Sequence, residues 1–266
     1  MNRKRLALAQ NFFKSPELVR SLVAASSIEQ ADTVVEIGPG AGMITQALAD
    51  VAQRVVAVEK DPMLVKQLRR RFRHACHVEI MEGDFLDKCL PLADYKIFAN
   101  IPFNITAKIM QKIIYAPHPP CEAYLVMQKE AAQKFVGSPH ETQFSILTKP
   151  WFDLQVIHIF QREDFDPIPN VEAVFLQIKK RGPPLVTTQE AMLYQKFVQY
   201  GFGGWNKSLR FTYKRIFTYQ QWKRLWFDLQ FPAEATPTQL SFEQWLGLFK
   251  CFIARVPDAK QKLIFE

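Results

Sequence analysis

Short apolar runs alternate with amphipathic, helix-like segments between residue 33 and about residue 180. Runs rich in β-branched residues, each closed by a glycine or a polar turn, predict strands. They occupy residues 33–37, 54–58, 78–82, 95–99, 122–127, 152–160 and 173–178. Because helical segments separate most of them, the pattern predicts an α/β fold with helices on both faces of a mostly parallel sheet. Only a turn at Pro167 and Pro169 separates the last two runs, which predicts an antiparallel hairpin at the sheet edge.

A change of pattern after residue 178 predicts a domain boundary. Residues 179–184, Lys-Lys-Arg-Gly-Pro-Pro, cannot continue a strand and are typical of a linker. We therefore predict two domains, residues 1–180 and 181–266. The second is helical in pattern, with a first helix over residues 188–202 and breaks at Pro232 and Pro237.

The charge of the chain predicts a polyanionic binding partner. The chain has 266 residues, 48% of them hydrophobic, and a formal net charge of +8. Residues 1–180 contain 22 basic and 20 acidic side chains, whereas residues 181–266 contain 12 and 6. The second domain therefore carries most of the excess, as expected of a segment that binds nucleic acid.

The cysteines indicate a reducing compartment and no metal. Cys76, Cys89, Cys121 and Cys251 form no Cys-x-x-Cys pair, and residues 74–77, His-Ala-Cys-His, crowd their ligands into one short segment. We find no apolar run of about 20 residues that would span a membrane and no secretory segment. We therefore expect a soluble, cytoplasmic protein with reduced thiols.

A glycine loop follows the first predicted strand. Residues 38–42, Gly-Pro-Gly-Ala-Gly, lead directly into a helical pattern, and glycines there allow a ligand to approach the backbone. The spacing differs from the Gly-x-Gly-x-x-Gly of dinucleotide-binding folds, and the Gly-Lys-Ser/Thr ending of a P-loop is missing. Taken alone, the loop is also compatible with a tight turn between a strand and a helix.

Acidic residues follow the next two strands. Glu59 lies twenty-one positions after Gly38, where a carboxylate can accept the hydroxyls of a ribose. Asp84 and Phe85 follow the third strand, where an acid beside an aromatic ring suits the amino edge and the face of an adenine. Each acid taken singly is more typical of a solvated loop carboxylate or a helix cap.

The fourth strand ends in Asn100, Ile101, Pro102 and Phe103, a combination that suits a flat, amino-bearing base. The Asn amide oxygen can accept an N–H, Pro has no N–H to donate, and Phe offers a face for base stacking. The alternative is a strand that ends in a turn with its aromatic residue returning to the core. Four strand ends in this order nevertheless point together to a nucleoside site.

That order resembles the class I S-adenosylmethionine-dependent methyltransferases, and Asn-Ile-Pro-Phe resembles those that methylate the exocyclic nitrogen of adenine. Residues 10–13, Gln-Asn-Phe-Phe, and 165–171, Phe-Asp-Pro-Ile-Pro-Asn-Val, are similar to elements of the ribosomal RNA adenine dimethylases. The resemblance runs from about residue 8 to residue 215. It implies a Rossmann-like methyltransferase domain with an antiparallel edge hairpin, followed by a small all-helical domain.

The resemblance also implies the cofactor, S-adenosylmethionine, and the residues that bind it. These are Asn11, Phe13, Gly38, Gly40, Glu59, Asp84, Phe85 and Asn100. The family commonly has Leu where this chain has Phe13, a change of bulk and not of polarity. No metal is expected.

Catalysis is assigned to residues 100–103. Adenine N6 is a poor nucleophile because its lone pair is delocalised into the ring. Asn100 Oδ1 and the carbonyl of Ile101 or Pro102 are expected to accept the two N6 hydrogens, while Phe103 stacks on the extruded base. Most of the catalysis is then positioning and electrostatics, with no strong base.

Basic residues in two segments are the candidate RNA contacts. Residues 204–215 carry cations at helical spacing, so most of them are expected to share one face. The family usually has Arg-Lys where this chain has Asn206 and Lys207. The candidates are Arg3, Lys4, Arg5, Lys207, Arg210 and Lys214. A solvated helix face or terminus is the alternative for any single one, and Trp222, Trp226 and Trp245 are interpreted as core anchors.

Two branches of the family remain open. The Ile-Pro-Phe version of the motif and the basic start of the chain resemble the Erm enzymes of 23S rRNA, whereas residues 128–130, Gln-Lys-Glu, resemble the KsgA-type enzymes of 16S rRNA. We expect a monomeric 23S rRNA adenine-N6 methyltransferase, which in that family confers resistance to macrolide, lincosamide and streptogramin B antibiotics. A KsgA-type enzyme of ribosome maturation is the alternative, and a non-catalytic nucleic-acid-binding protein is the third.

Overall fold

Residues 11–204 and 208–265 are described by a computed structural model. They fall into two compact units. The first unit comprises Met1–Ala132 and Asp153–Lys180, and the second comprises Gln133–Phe152 and Arg181–Glu266. The segment of residues 133–152 thus joins the second unit, although the sequence places its only boundary after residue 180.

The first unit contains a seven-stranded sheet. Its strands lie in the order β4-β3-β2-β5-β6-β9-β7, and a separate two-stranded sheet pairs β1 with β8. The strands of both sheets are β1 (Phe12–Phe13), β2 (Thr33–Ile37), β3 (Arg54–Glu59), β4 (Val78–Glu82), β5 (Lys96–Asn100), β6 (Glu122–Gln128), β7 (Phe152–Ile159), β8 (Phe165–Asp166) and β9 (Ala173–Lys180). The five strands β4, β3, β2, β5 and β6 run parallel, and β9 is antiparallel to β6. The predicted mostly parallel sheet with antiparallel edge strands is confirmed.

Central strands of this sheet are buried on both faces. Ile97, Phe98 and Ala99 of β5 are each fully buried although successive side chains point to opposite faces. Such double burial requires helices on both sides, which explains the continuous apolar runs in the sequence.

Along the chain, the structure describes six α-helices between the first and the last of these strands. They are α1 (Pro16–Ala24), α2 (Met43–Ala49), α3 (Pro62–Arg71), α4 (Thr106–Ile114), α5 (Lys129–Val136) and α6 (Gln143–Thr148). Local sequence fixes their starts: Ser15 caps α1 by accepting from the Leu18 N–H, and Asp61 caps α3 by accepting from the Met63 N–H. No helix in the described residues has the length and apolarity that a bilayer crossing requires.

Helices and an aromatic core form the rest of the second unit. The helices are α7 (Ala191–Gly203), α8 (Leu209–Thr212), α9 (Tyr219–Asp228), α10 (Phe242–Arg255) and α11 (Asp258–Gln261). Trp245 is fully buried, stacks on Phe202 at 5.4 Å between ring centroids and donates from Nε1 to the Pro237 carbonyl. Trp222 is also buried and Trp226 packs against the same cluster, as their interpretation as core anchors requires.

Residues 133–152 join this core through long-range contacts. Ile146 is fully buried in the aromatic cluster, and its carbonyl accepts a hydrogen bond from the buried Tyr194 hydroxyl at 2.8 Å. Tyr194 lies 48 residues further along the chain, so no local pattern indicates the pairing.

The second unit departs from the sequence pattern in two places. Helix α7 begins at Ala191 and not at residue 188, because residues 187–190 form a turn in which Thr187 and Glu190 bond to each other. Within residues 208–215, the part of the basic segment that the structure describes, the four-residue helix α8 is followed by a 3-10 turn, Tyr213–Arg215. Buried Tyr213, whose hydroxyl donates to the Phe197 carbonyl at 2.7 Å, holds this tighter turn. The expectation that most of the basic side chains share one face stays a prediction, since Lys207 lies outside the described residues.

Replacing Trp245 with Ala should destabilise the protein by roughly 3–5 kcal/mol, because it leaves a large cavity and an unpaired carbonyl in the aromatic core. Urea unfolding followed by circular dichroism measures this loss. Phe227→Ala is the matched control, since Phe227 is 74% exposed, and should change stability by about 0.5 kcal/mol or less. Equal effects of the two substitutions would contradict the assignment of Trp245 to the core.

Candidate active site

A cavity of about 890 Å³ lies in the first unit, where β2, β5 and β6 end. Its volume is in the range of small-molecule binding sites. Five of the residues predicted from the sequence line it together: Asn11, Phe13, Gly38, Asn100 and Phe103. Six others, Gly40, Glu59, Asp84, Phe85, Ile101 and Pro102, are not among its lining residues.

Asn100 ends β5 with its side chain held in one orientation. Its Nδ2 donates to the backbone carbonyl of Asn11 at 2.6 Å. Because the amide nitrogen is engaged in this bond, Oδ1 points away from Asn11 and keeps both lone pairs for other donors. The residue can therefore act as an oriented hydrogen-bond acceptor at the cavity wall.

The next three residues turn the chain around the cavity. Ile101 is buried, and its N–H donates to the Val126 carbonyl of the neighbouring strand at 3.2 Å. The Pro102 carbonyl accepts from the Ile105 N–H at 3.2 Å. Among the hydrogen bonds of the described residues, the Ile101 carbonyl is thus the less engaged of the two carbonyls considered as a second acceptor. Phe103 is half-buried in the cavity wall, where its ring remains accessible.

The glycine loop is tied to Glu59. Gly40 has a φ of +58°, and a side-chain Cβ added to it would lie 2.6 Å from the Phe12 ring. Its N–H donates to Glu59 Oε2 at 3.1 Å, and the Asp61 N–H donates to Oε1 at 2.9 Å. Glu59 therefore fixes the loop, while each carboxylate oxygen retains a lone pair for a further donor.

Asp84 starts a 3-10 turn next to Phe85. Its carboxylate accepts from Lys60 Nζ at 2.8 Å and from the Leu86 N–H at 2.9 Å. The bond from Lys60, followed by that from Leu86, lowers the pKa of Asp84. Lys112 holds the same turn by donating to the Leu86 and Lys88 carbonyls at 2.9 and 2.6 Å.

Phe85 and Phe13 are more deeply buried than residues of an open binding surface are. Phe85 is 5% exposed, with Lys112 Nζ 5.4 Å from its ring centroid. Phe13 is 6% exposed and stacks on Phe165 at 5.0 Å. This stack accompanies the pairing of β1 with β8, which brings the following residues 166–171 into the cavity wall.

Glu36 is a buried acid that the sequence reasoning missed. It lies in β2, two residues before Gly38, and is 1% exposed. Neither of its carboxylate oxygens has a hydrogen-bond partner within the described ranges. Burial, with a smaller contribution from the Glu59 charge, raises the pKa of Glu36 to about 8. A glutamate inside an otherwise apolar strand run was the signal that could have identified it.

The predicted RNA contacts are only partly described. Arg210 is exposed but pairs with Glu234 at 2.7 Å and lies over the Tyr219 ring, and Lys214 is exposed above the Phe211 ring at 4.0 Å. Arg3, Lys4, Arg5 and Lys207 lie outside the described residues. The RNA-binding role of all six stays a prediction.

The described part of the chain contains neither a metal site nor a disulfide. No three His, Cys, Asp or Glu side chains there come together as a metal site. The four cysteines are unpaired thiols, two of them exposed.

Sequence comparison places the chain among known proteins. The family model for ribosomal RNA adenine dimethylases matches residues 1–254. The chain belongs to this family. Its members transfer methyl groups from S-adenosylmethionine to adenine N6 in ribosomal RNA, so the chain is an enzyme with that cofactor and an rRNA substrate.

Individual members of the dimethylase family resemble it over most of its length. The small subunit rRNA methyltransferase A of Acaryochloris marina is 32% identical over 262 residues, covering 93% of this chain and 97% of the relative. An rRNA adenine N-6-methyltransferase of Bacillus licheniformis is 27% identical, covering 90% and 84%. The crystal structure of the 23S rRNA methyltransferase ErmE matches with a TM-score of 0.86 at 26% identity, covering 91% of this chain and all of that one.

The site fits the dimethylase cofactor. Gly38 has a positive φ and lines the cavity, and a glycine there allows a nucleoside cofactor to approach the backbone closely. Glu59 and Asp84 carry hydrogen-bond acceptors where the parallel neighbours β3 and β4 end, at the same edge of the sheet. The cofactor roles of individual residues stay predictions.

Replacing Glu36 with Gln should change how stability depends on pH. The wild-type protein keeps a proton on Glu36 up to about pH 8, whereas the unfolded chain releases it near 4.5, so folding stability falls as pH rises across that window. The stability of the variant relative to the wild type should therefore increase from pH 5 to pH 8, by a few kcal/mol in order of magnitude, and stay constant above pH 8. Denaturant unfolding at several pH values measures it.

Glu29→Gln provides the control, since Glu29 is exposed. The folding stability of this variant should depend on pH in the same way as that of the wild type. A Glu36→Gln protein whose stability follows the wild type at every pH would show that Glu36 is ionised and solvated.

Proposed function

We propose that this enzyme methylates N6 of an adenosine in 23S rRNA and acts in the manner of the Erm branch. The observation that carries the chemistry is the hydrogen bond from Asn100 Nδ2 to the Asn11 carbonyl, which fixes the amide of a residue that lines the cavity together with Phe103. The match to ErmE over the whole of that chain supports the choice of 23S rRNA. The Ile-Pro-Phe version of the motif agrees with it.

The target amine is activated by hydrogen bonding at two oxygens. Asn100 Oδ1 and the Ile101 carbonyl accept the two N6 hydrogens, which concentrates the nitrogen lone pair on the side opposite to them. Phe103 stacks on the base after it leaves its helix. The N6 proton is lost to solvent, so the site needs no strong base. Asn11 positions Asn100 through its backbone carbonyl.

The cofactor is held by the glycine loop and the acids beyond it. S-adenosylmethionine supplies an electrophilic methyl group on its sulfonium. We assign Gly38 and Gly40 to its close approach, Glu59 to the ribose hydroxyls and Asp84 to the adenine amino group. Lys112 positions the Asp84 turn by holding two of its carbonyls.

The biological consequence proposed is that of the Erm branch: resistance to macrolide, lincosamide and streptogramin B antibiotics through a cytoplasmic enzyme that acts as a monomer. The net charge of +8 favours the RNA partner. Exposed Lys214 and Arg210, with Lys207 and the basic amino terminus, are the proposed phosphate contacts.

A second candidate function is methylation of 16S rRNA in ribosome maturation. It is favoured by the 32% identity to the small subunit methyltransferase of Acaryochloris marina. Both candidates use the same chemistry at the same cavity, so only the RNA distinguishes them.

Asn100→Ala should lower the methylation rate by roughly 10²–10³-fold, because one of the two N6 acceptors is lost. Its affinity for S-adenosylmethionine, measured by titration calorimetry, should fall far less. Tritium transfer from labelled cofactor to rRNA measures the rate. Asn100→Asp is the companion variant, which keeps an acceptor but loses the donor to the Asn11 carbonyl. Its methylation rate should lie between those of the wild type and Asn100→Ala. An Ala variant with wild-type rates would exclude the proposed role.

Labelled cofactor with purified 23S or 16S rRNA tests the choice of substrate. We expect label in 23S rRNA and a primer-extension stop at one adenosine there. Expression in a macrolide-sensitive bacterium should raise its tolerance, whereas expression of the Asn100→Ala protein should not. Label confined to 16S rRNA would replace the leading proposal by the second.

A further inference from the structure

Gln128 is a polar residue at the cavity that the chemistry above does not use. It is the last residue of β6, it is half-buried, and it lines the same cavity as Asn100 and Phe103. Within the described residues its side-chain amide has no hydrogen-bond partner, in contrast to that of Asn100. A half-buried amide without a protein partner is available to a ligand.

The sheet register puts Gln128 on the same face as Asn100. Asn100 pairs with Val126 across the parallel β5 and β6 strands, so these two side chains point to the same side. Gln128 is two residues beyond Val126 and therefore returns to that side. A strand spacing of about 4.8 Å and a rise of about 3.3 Å per residue separate the Asn100 and Gln128 Cα atoms by about 8 Å.

Gln128 is also rigidly placed. Its backbone pairs with Ala173 of β9, so the end of β6 is held by this neighbour two residues beyond its last pair with β5. Residues on a central strand hold a functional amide more accurately than loop residues do. The exposed Asn104 and Asn170, which also line the cavity, lie on a turn and a loop and lack this support.

We infer that Gln128 reads the target base by donating from its side-chain amide to a ring nitrogen of adenine, N1 or N7, that flanks the amine. The inference rests on the proposed function, because it takes the N6 hydrogens to be accepted by Asn100 and Ile101. With the amine fixed there, the ring nitrogens beside it are the adenine acceptors within reach of a second amide on the same sheet face. Asn100 selects the amine, and Gln128 selects the ring that bears it.

A cycle between protein and substrate variants tests this contact. The substrate is a short rRNA fragment that the wild-type enzyme methylates, made with adenosine, 1-deazaadenosine or 7-deazaadenosine at the target position. Each deaza analogue replaces one ring nitrogen by C–H and keeps the amine. The protein variant is Gln128→Met, which preserves length and removes the donor. The readout is kcat/KM for methyl transfer.

The wild-type enzyme should lose roughly 3- to 10-fold in kcat/KM on one of the two analogues, the value of a single neutral hydrogen bond. Gln128→Met should lose a similar factor on adenosine and nothing further on that analogue. The affected analogue identifies the ring nitrogen. Losses that multiply on both analogues, or an unchanged kcat/KM for Gln128→Met, would overturn the inference.

Gln128→Glu gives an independent result. It replaces the donor by an acceptor, so it should prefer the same deaza analogue over adenosine, the reverse of the wild type. Gln155→Leu is the control, since Gln155 is an exposed glutamine of β7 outside the cavity lining, and it should keep the wild-type ratio of substrates. Unchanged circular dichroism and cofactor affinity show that the variants are folded.

The two levels of the proposal fail differently. A wild-type enzyme that methylates no adenosine in any rRNA fragment would contradict the proposed function and the Gln128 contact with it. Methylation by the wild type without coupling to Gln128 would contradict the contact alone.

Discussion

The hydrogen bond from Asn100 Nδ2 to the Asn11 carbonyl fixes the orientation of an amide that lines the cavity. An asparagine free to rotate would present its nitrogen as often as its oxygen, and a nitrogen donor would repel the hydrogens of an adenine amine. The bond joins the end of β5 to the segment that enters β1, and β1 in turn pairs with β8. The orientation of one amide therefore depends on two strands far apart in the sequence.

The same segment shapes the cavity on its other side. The stack of Phe13 on Phe165 and the pairing of β1 with β8 bring residues 166–171 to the cavity wall. The ring of Phe12, the residue before Phe13, lies where a Cβ on Gly40 would fall. The glycine loop therefore contacts β1 closely. Glu59, at the end of the neighbouring parallel strand β3, then fixes Gly40. The glycine loop that we propose for the cofactor and the Asn100 amide that we propose for the target are thus linked through β1.

Much of this arrangement could be predicted from the sequence because parallel strands bring their ends together. That rule placed Gly38 and Asn100 at one edge of the sheet, where both now line the cavity. It also covered Gln128, another strand end, to which the sequence reasoning gave no binding role. The Asn11 contact could not be predicted from spacing, since it joins residues 89 positions apart. Nor could the tight turn at Tyr213, which tertiary packing imposes on a helical pattern.

The central claim is that Asn100 Oδ1 and the Ile101 carbonyl receive the two hydrogens of the target amine. A crystal structure of the protein with a cofactor analogue and an rRNA fragment tests it directly. We predict that N6 of the target adenosine lies about 3 Å from both oxygens, with Asn100 Nδ2 still bonded to the Asn11 carbonyl. A complex in which the Asn100 amide is reversed, or in which N6 bonds to other groups, would contradict the account.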